Sequence, residues 1–429
     1  MKQSKILMIY PVCQVLRERA FPLGFYIASS VLKSSGFEVR CLELWSNNDW
    51  KAQLEEQLHD FCPQIIGFSV CGATNYKFAL DIVKSMQLHK HYKIRFGGQH
   101  IQSPTQMGCE YYEGETGYIE NREKYLDVQM NVGTALAPVD YSLVNNPLSY
   151  LPAVEISRGC WNLCQFCNAD NMHLEKPIEQ IQKELHTLSE IYPKDTILTL
   201  GGSNHLFKKW KKRGMISLLK EYGSHFKFNF NCGVESGWES AWDDILSLNI
   251  WNIFVGVEAV NESTLLHMQK TRTPKNYIKK ASELLHRCAT DDVYAFVTYI
   301  YGYPFDGLKE LEALDRFILG HSHKNIVQLG EPIQAYPGTK LLIDQEYYKS
   351  RGITYHHAFD NNDSPVVEYY YLDVSDELNF NYLKQRSSEV FTQANQYKDS
   401  FYRCSGFRNF ESFESFEKNI NYYASFFKE

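Results

Sequence analysis

Short apolar blocks alternate with longer amphipathic stretches over residues 1 to about 125, a pattern of strand followed by helix. Ile6–Tyr10, Val39–Leu44, Ile65–Val70 and Lys93–Phe96 read as strands. Leu23–Ser35, Trp50–Phe61 and Tyr76–His89 read as helices, the first stopping at Gly36. Such alternation predicts an α/β fold whose first layer is a Rossmann-like, doubly wound parallel sheet. The layer is shortened at its end. Few residues separate Gly117 from the linker-like Pro138-Val139-Asp140-Tyr141, so the fifth strand and its helix are poorly marked.

The same rhythm resumes near residue 150. Val154-Glu155-Ile156-Ser157 closes a short strand, and Ile178–Tyr192 places apolar residues at helical spacing. Ile197–Leu200, Phe226–Cys232, Ile253–Val257 and Val293–Ile300 are further strands, and 332–339 reads as the last one with its turn. Several run directly into glycine: Gly201-Gly202-Ser203-Asn204, Gly233-Val234-Glu235-Ser236 and Gly256-Val257-Glu258-Ala259. Adjacent glycines after a strand make a tight turn or let the backbone approach a ligand closely. Glu258 falls at a strand's C-terminal end, the side on which parallel α/β folds build their sites. The expected domains are 1–140, 150–345 and a ring-rich extension, 346–429, that caps the barrel or binds substrate.

Between strand and helix lies Arg158-Gly159-Cys160-Trp161-Asn162-Leu163-Cys164-Gln165-Phe166-Cys167, with cysteines at C-x3-C-x2-C spacing. Three neighbouring thiolates can hold an iron–sulfur cluster and leave one iron open, or form a zinc site with a distant fourth ligand. The other cysteines are scattered, which suits a reducing compartment and rules out a disulfide scaffold. With a formal charge of -7 over 429 residues, nothing suggests a basic nucleic-acid-binding surface. No apolar run is long enough for a bilayer and the N-terminus reads as a strand, so a soluble, cytoplasmic protein without a membrane partner is expected. One basic run, Lys208-Lys209-Trp210-Lys211-Lys212-Arg213, stands out. Such a run is most often a solvated helix face; the functional reading is docking of an acidic partner.

The cysteine spacing, with Phe166 before the last cysteine, resembles the radical SAM superfamily. That resemblance implies a partial (β/α)6 barrel and a 4Fe-4S cluster held by Cys160, Cys164 and Cys167. It also implies that S-adenosylmethionine (SAM) on the open iron is cleaved to a 5′-deoxyadenosyl radical. By the same resemblance Phe166, Gly201, Gly202, Ser203, Glu235, Glu258 and Gln334 are candidate SAM contacts, Ser203 standing where relatives carry glutamate. Phe305 likewise replaces the last glycine of the Gly-x-Pro-Gly turn of relatives. A flavodoxin-like electron donor would be a partner.

Pro22-Leu23-Gly24, Gly67-Phe68-Ser69, Gly97-Gly98-Gln99-His100 and Gly114-Glu115-Thr116-Gly117 make the N-terminal layer similar to the cobalamin-binding domain of many radical SAM enzymes. No Asp-x-His-x-x-Gly occurs, so no histidine can ligate cobalt by that motif. Cobalamin is therefore a candidate cofactor, and two chemistries on a peptide or natural-product substrate follow. The truncated layer favours cobalamin-independent peptide modification such as epimerisation to D-residues, a maturation step of ribosomal peptides. That reaction needs a thiol hydrogen donor, for which Cys232 and Cys404 are candidates, with Cys288 also outside the cluster. The alternative is cobalamin-dependent C-methylation. A sensor or a binding module would leave the SAM-side strand ends from Gly201 to Gly338 without a purpose.

Overall fold

The computed structural model describes residues 4–12, 19–46, 49–70, 73–98, 109–112, 118–120, 136–169, 173–202, 205–336, 338–357 and 370–396. Gln99, His100, Gly114 to Gly117, Ser203 and Cys404 lie outside them.

The first layer contains strands β1 (Lys5–Val12), β2 (Glu38–Trp45), β3 (Ile65–Ser69), β4 (Lys93–Gly97), β5 (Cys109–Tyr112) and β6 (Tyr118–Glu120). Helices α1 (Leu23–Ser34), α2 (Trp50–Phe61) and α3 (Ala73–Ser85) connect the first four. The sheet order is β2-β1-β3-β4-β5-β6. Its first four strands are parallel, whereas β5 runs antiparallel to β4 and β6 antiparallel to β5. The weakly marked fifth position is thus an antiparallel strand closed by an edge hairpin. Leu7, Ile9, Leu44, Ile66, Phe68 and Phe96 have no more than traces of exposed surface and form the core under α2 and α3.

The segment read as a linker folds back onto this layer. Val139, Leu143 and Tyr150 share a core with Phe21, Phe25 and Tyr26 of the α1 region. Asp140 accepts from Lys33 at 2.7 Å, and its N–H donates to Ser30 Oγ at 2.8 Å. A two-residue parallel pairing of Arg19–Ala20 with Tyr150–Leu151 carries the chain into the second sheet.

That sheet has strands β7 (Ala153–Glu155), β8 (Thr196–Gly201), β9 (Phe226–Asn231), β10 (Ile250–Glu258), β11 (Ala295–Tyr301) and β12 (Ile326–Pro332). They pair in parallel and in chain order, the arrangement of an open (β/α)6 barrel. Connecting helices are α4 (Ile178–Ile191), α5 (Phe207–Arg213), α6 (Met215–Tyr222), α7 (Trp242–Leu246), α8 (Glu262–His267), α9 (Pro274–Thr290) and α10 (Leu308–Gly320). Period-two alternation separates the faces. Phe226, Phe228 and Phe230, then Ile253, Val255 and Val257, then Val297, Tyr299 and Tyr301 pack into one core with the helices. Asn229, Asn231, Phe254, Gly256, Phe296 and Thr298 take the opposite, inner face.

The last barrel strand is 326–332, earlier than the segment 332–339 expected from its motif. Beyond it β13 (Gln334–Ala335), β14 (Thr354–His357) and β15 (Tyr370–Asp373) form a separate antiparallel sheet. The short helices α11 (Lys340–Ile343) and α12 (Gln345–Lys349) precede β14, and α13 (Phe380–Ala394) ends the described chain. Helix α13 completes the outer layer: Phe391 packs on Tyr299 and Tyr301, and Arg386 pairs with Asp315, which accepts from the Tyr301 hydroxyl. Among the described residues no helix is long and apolar enough to cross a membrane.

Leu383 fills the space over Gly302, where a Cβ would approach its Cδ1 to 2.4 Å. Leu383→Ala should therefore lower stability by about 3 kcal/mol, read as a lower urea midpoint with an unchanged iron-binding capacity.

Candidate active site

Strand β7 ends at Glu155, whose two carboxylate oxygens accept from Arg158 Nε and Nη2, both at 2.7 Å. This fork orients the chain as it enters the cysteine loop, and Gly159 takes the turn at φ +76°. The loop is then held at its middle. Gln165 N–H donates to the Met268 carbonyl at 2.9 Å, and the Gln165 carbonyl accepts from Leu341 N–H at 3.2 Å. Cys164 is buried, Cys160 half-buried and Cys167 exposed. Main-chain N–H groups point at two of the sulfurs: Asn162 to Cys160 Sγ at 3.4 Å and Ala169 to Cys167 Sγ at 3.3 Å.

Burial pushes the Cys164 thiol up to about 11; Lys270 pulls it down, and Cys167 and Cys160 push it further up. The three sulfurs therefore feel one another, and a bound cation would remove the cost of making them thiolates. Three thiolates at C-x3-C-x2-C spacing can each take one iron of a cubane and leave the fourth open. The donor set fits a 4Fe-4S cluster.

The strand ends around the loop are shaped by close approaches. At Gly202 a Cβ would lie 2.4 Å from both His205 Cε1 and Ser157 Oγ, so only glycine lets the chain lie flat there. Asn231 Nδ2 donates to the Gly202 carbonyl at 2.6 Å, tying the ends of β8 and β9. His205 is buried beneath, near Ser157 Oγ (3.5 Å) and the Leu200 carbonyl (3.3 Å). At Gly256 a Cβ would meet Glu258 Oε1 at 2.3 Å. Its absence lets Glu258, at φ +67° beyond a break in the β10–β11 register, fold its carboxylate back over the strand. Lys270 Nζ lies 3.3 Å from that carboxylate and 5.8 Å from the Phe166 ring centre. Burial draws the Lys270 ammonium down, but Tyr277, Glu258 and Cys164 beside it hold it above its ordinary range. Tyr277 in turn donates to the carbonyls of Gly256 and Val257 at 3.1 Å.

Of the residues singled out from sequence, Cys164, Phe166 and Glu258 thus meet around Lys270. Glu235 accepts from the hydroxyls of Thr271 and Thr273 at 3.0 and 3.2 Å. Gln334 sits in the small antiparallel sheet, bonded to Glu331 and Tyr336. Cys232, a candidate hydrogen donor, does not face the barrel interior: it continues the Phe226–Phe228–Phe230 face into the helix side. Its thiol lies 3.9 Å from Ser236 Oγ, and burial pushes it up to about 12. Cys288 is buried in the core under α9. Tyr277, Asn231 and His205 had escaped notice, and nothing in the local sequence marked Lys270 as the partner of Glu258.

Two family matches cover these units. Residues 11–120 match the B12 binding domain and residues 154–318 match the Radical SAM superfamily. The chain thus carries a radical SAM domain with a B12-binding domain in front of it. The radical SAM methyltransferase TsrM from Kitasatospora setae, solved with cobalamin and a 4Fe-4S cluster, is similar in fold. Its TM-score is 0.63 at 13% identity, over 85% of this chain and 82% of that one. The cobalamin-dependent SAM radical enzyme OxsB, solved with aqua-cobalamin, gives 0.66 at 13% identity over 99% and 71%. No curated protein sequence matches significantly.

The cofactors of these two domains are a 4Fe-4S cluster and SAM for the second and cobalamin for the first. Its first layer fits a corrinoid at the switch point between β1 and β3, where open α/β sheets take ligands. Next to it on the same sheet edge, Gly98, at φ +120°, brings the end of β4 so close to the end of β3 that a Cβ would stand 2.3 Å from the Val70 carbonyl oxygen. That edge adjoins the barrel, because Leu23 at the start of α1 touches the Gly201 position. The expectation that the shortened layer had lost its cofactor finds no support. Neither does the epimerase reading built on it.

Cys164→Ala should abolish cluster binding and SAM cleavage; full iron content in that variant would overturn the assignment. Burial lowers His205 from 6.5 to about 4, so between those values the unfolded chain takes up a proton that the folded chain refuses. Stability should fall as pH drops through that window, and His205→Asn should flatten the slope of the urea midpoint between about pH 7 and about pH 4.5.

Proposed function

We propose that this protein is a cobalamin-dependent radical SAM methyltransferase acting on an unactivated carbon of a natural product or peptide. The observation that carries the reading is the junction of the two units: α1 of the B12-binding domain begins against Gly201, at the strand end beside the cysteine loop. A methyl carrier on the first sheet and a radical source on the second would face one space. When bound, the cluster with SAM supplies a radical able to take hydrogen from carbon, and cobalamin supplies a carrier for the methyl group.

The chain's own residues prepare that space. Cys160, Cys164 and Cys167 would hold the cluster, and the flat Gly201-Gly202 segment would receive SAM. Glu258 and Lys270 neutralise each other, so either can turn to a charged group of SAM without leaving an isolated buried charge. Deeper in the barrel Phe254 and Phe296 stack in register on β10 and β11, 5.5 Å apart at 18°. Phe254 is 37% exposed although it lies on a central strand. An uncovered aromatic pair on the inner face is a surface for a flat or apolar part of the substrate. TsrM has also been solved with a tryptophan substrate and a SAM analogue bound.

Anaerobic protein supplied with hydroxocobalamin should carry about one cobalt beside about four irons per chain. With SAM labelled in its methyl hydrogens, candidate substrates should gain the intact labelled methyl group. Iron without cobalt, or 5′-deoxyadenosine release with no methylated product from any substrate consumed, would overturn the proposal.

A further inference from the structure

Six of the eleven exposed large apolar side chains among the described residues belong to the cysteine loop and the elements around it. They are Trp161, Leu163, Leu266, Phe305, Ile343 and Tyr347, each between 39% and 60% exposed. Gln165 ties the loop to the end of α8 and the start of α11. Phe305 lies against His267 of α8 and Tyr348 of α12, at 5.4 and 6.0 Å between ring centres. Its ring is kept in this patch at φ +77°, a conformation that costs a non-glycine residue energy. Apolar side chains clustered this way mark a place where another segment packs. The surround is cationic. Lys209 stands 4.3 Å over the Trp161 ring and Arg351 stands 4.8 Å over Tyr347. Lys212, Lys340 and Arg351 are exposed and form no ion pair among the described residues. Of the nearby carboxylates, Glu175 pairs with Lys209 and Arg213 and Glu346 with Lys349, which leaves Glu262 and Asp344. The occupant of this face therefore brings rings and carboxylates together. A second copy of the same face would set cation against cation.

The chain itself carries such a segment. Residues 397–429 lie outside the described ones, and their sequence includes Phe410-Glu411-Ser412-Phe413-Glu414-Ser415-Phe416-Glu417. This repeat sets a carboxylate beside a ring at every third residue and contains no cation. It also lies within reach. Asn395, near the end of the described chain, exchanges hydrogen bonds with the main chain of Gln328 on β12, at 2.9 and 2.6 Å. Twelve residues of chain join Gln328 to Lys340 on the cationic surround, and fifteen join Asn395 to Phe410. The longer stretch can span whatever the shorter one spans.

We propose that the C-terminal segment 410–417 docks on this face of its own chain. Its rings pack on the patch from Trp161 to Tyr347, and its glutamates meet Lys209, Lys212, Lys340 and Arg351. Docking covers Trp161 and Leu163, the exposed apolar side chains of the cysteine loop itself, and makes the loop less accessible to solvent. The strained Phe305 then has a purpose, since its ring is part of the surface that the segment needs. Apolar contact supplies the affinity and the charges fix the register, so the docked state weakens in salt. Methyl transfer plays no part in this inference.

The test uses the full chain, loaded anaerobically with its cluster. Carbodiimide coupling in a mixture of unlabelled and isotope-labelled protein should join Lys209, Lys212 or Lys340 to Glu411, Glu414 or Glu417. Both peptides of each product should carry the same label. The Phe410→Ser/Phe413→Ser/Phe416→Ser variant should lose these products and keep its iron content. In that variant amide exchange over 161–166 and 341–347 should rise about tenfold, while exchange in β8 to β11 stays as it was and shows that the barrel is folded. Lys212→Glu/Lys340→Glu/Arg351→Glu should raise exchange over 161–166 by a similar factor. Adding Glu411→Lys/Glu414→Lys/Glu417→Lys to that chain should restore the protection, which a merely local disturbance would not allow. Products whose two peptides carry different labels would place the segment of a second copy here and overturn the proposal. So would unchanged exchange in both variants, or coupling of these glutamates only to lysines elsewhere.

Discussion

The cysteine loop has no helix or strand of its own, so its shape depends on what holds it from outside. Two main-chain hydrogen bonds at Gln165 do most of this, one to Met268 and one from Leu341. Those partners are far apart in sequence, and each becomes available only when its strand is in place. A buried peptide group left unpaired costs more than a made bond returns. The loop geometry is therefore a consequence of the order of strands in the open barrel, and the positions of the three thiols inherit it. The Glu155–Arg158 fork fixes the approach to the loop in the same way.

Charge around the site follows from this arrangement. Lys270 is drawn among Glu258, Tyr277 and Cys164, where a lone ammonium would be costly and a paired one is held. The bare Cα of Gly256 makes room for the Glu258 carboxylate, so the ion pair depends on a missing side chain as much as on the two charges. At Gly202 the same kind of vacancy lets the strand end lie on His205 and Ser157. Small residues at strand ends here are places where another group must come close.

The joint between the two units is also built by packing. Phe21, Phe25 and Tyr26 are shared between the first layer and the 139–150 segment, and the aromatic contacts continue into Tyr141 and Tyr150. Burial of this many rings makes the joint part of a core rather than a tether. Pro138-Val139-Asp140-Tyr141 looked like a linker because the stretch it opens carries no helix or strand period. Its apolar residues find partners only across the chain.

Local periodicity determined much by itself. The alternation of Ile6–Tyr10, Leu23–Ser35 and their successors set the α/β class, since side chains repeat every two residues in strands and about every 3.6 in helices. C-x3-C-x2-C marked the loop, and glycines at 201, 202 and 256 marked strand ends, because their spacing is local and chemically unusual. What depends on distant partners stayed hidden. The antiparallel turn of 109–112, the last strand at 326–332 and the outer position of α13 are choices of pairing, which no local period encodes. The facing of Cys232 was lost for a related reason. Its strand alternates cleanly, but only the packing of Phe228 and Phe230 under the helices says which side of the alternation is inside. Lys270 joined Glu258 by the same rule: two residues apart in sequence by a whole helix meet because the barrel brings their loops to one rim.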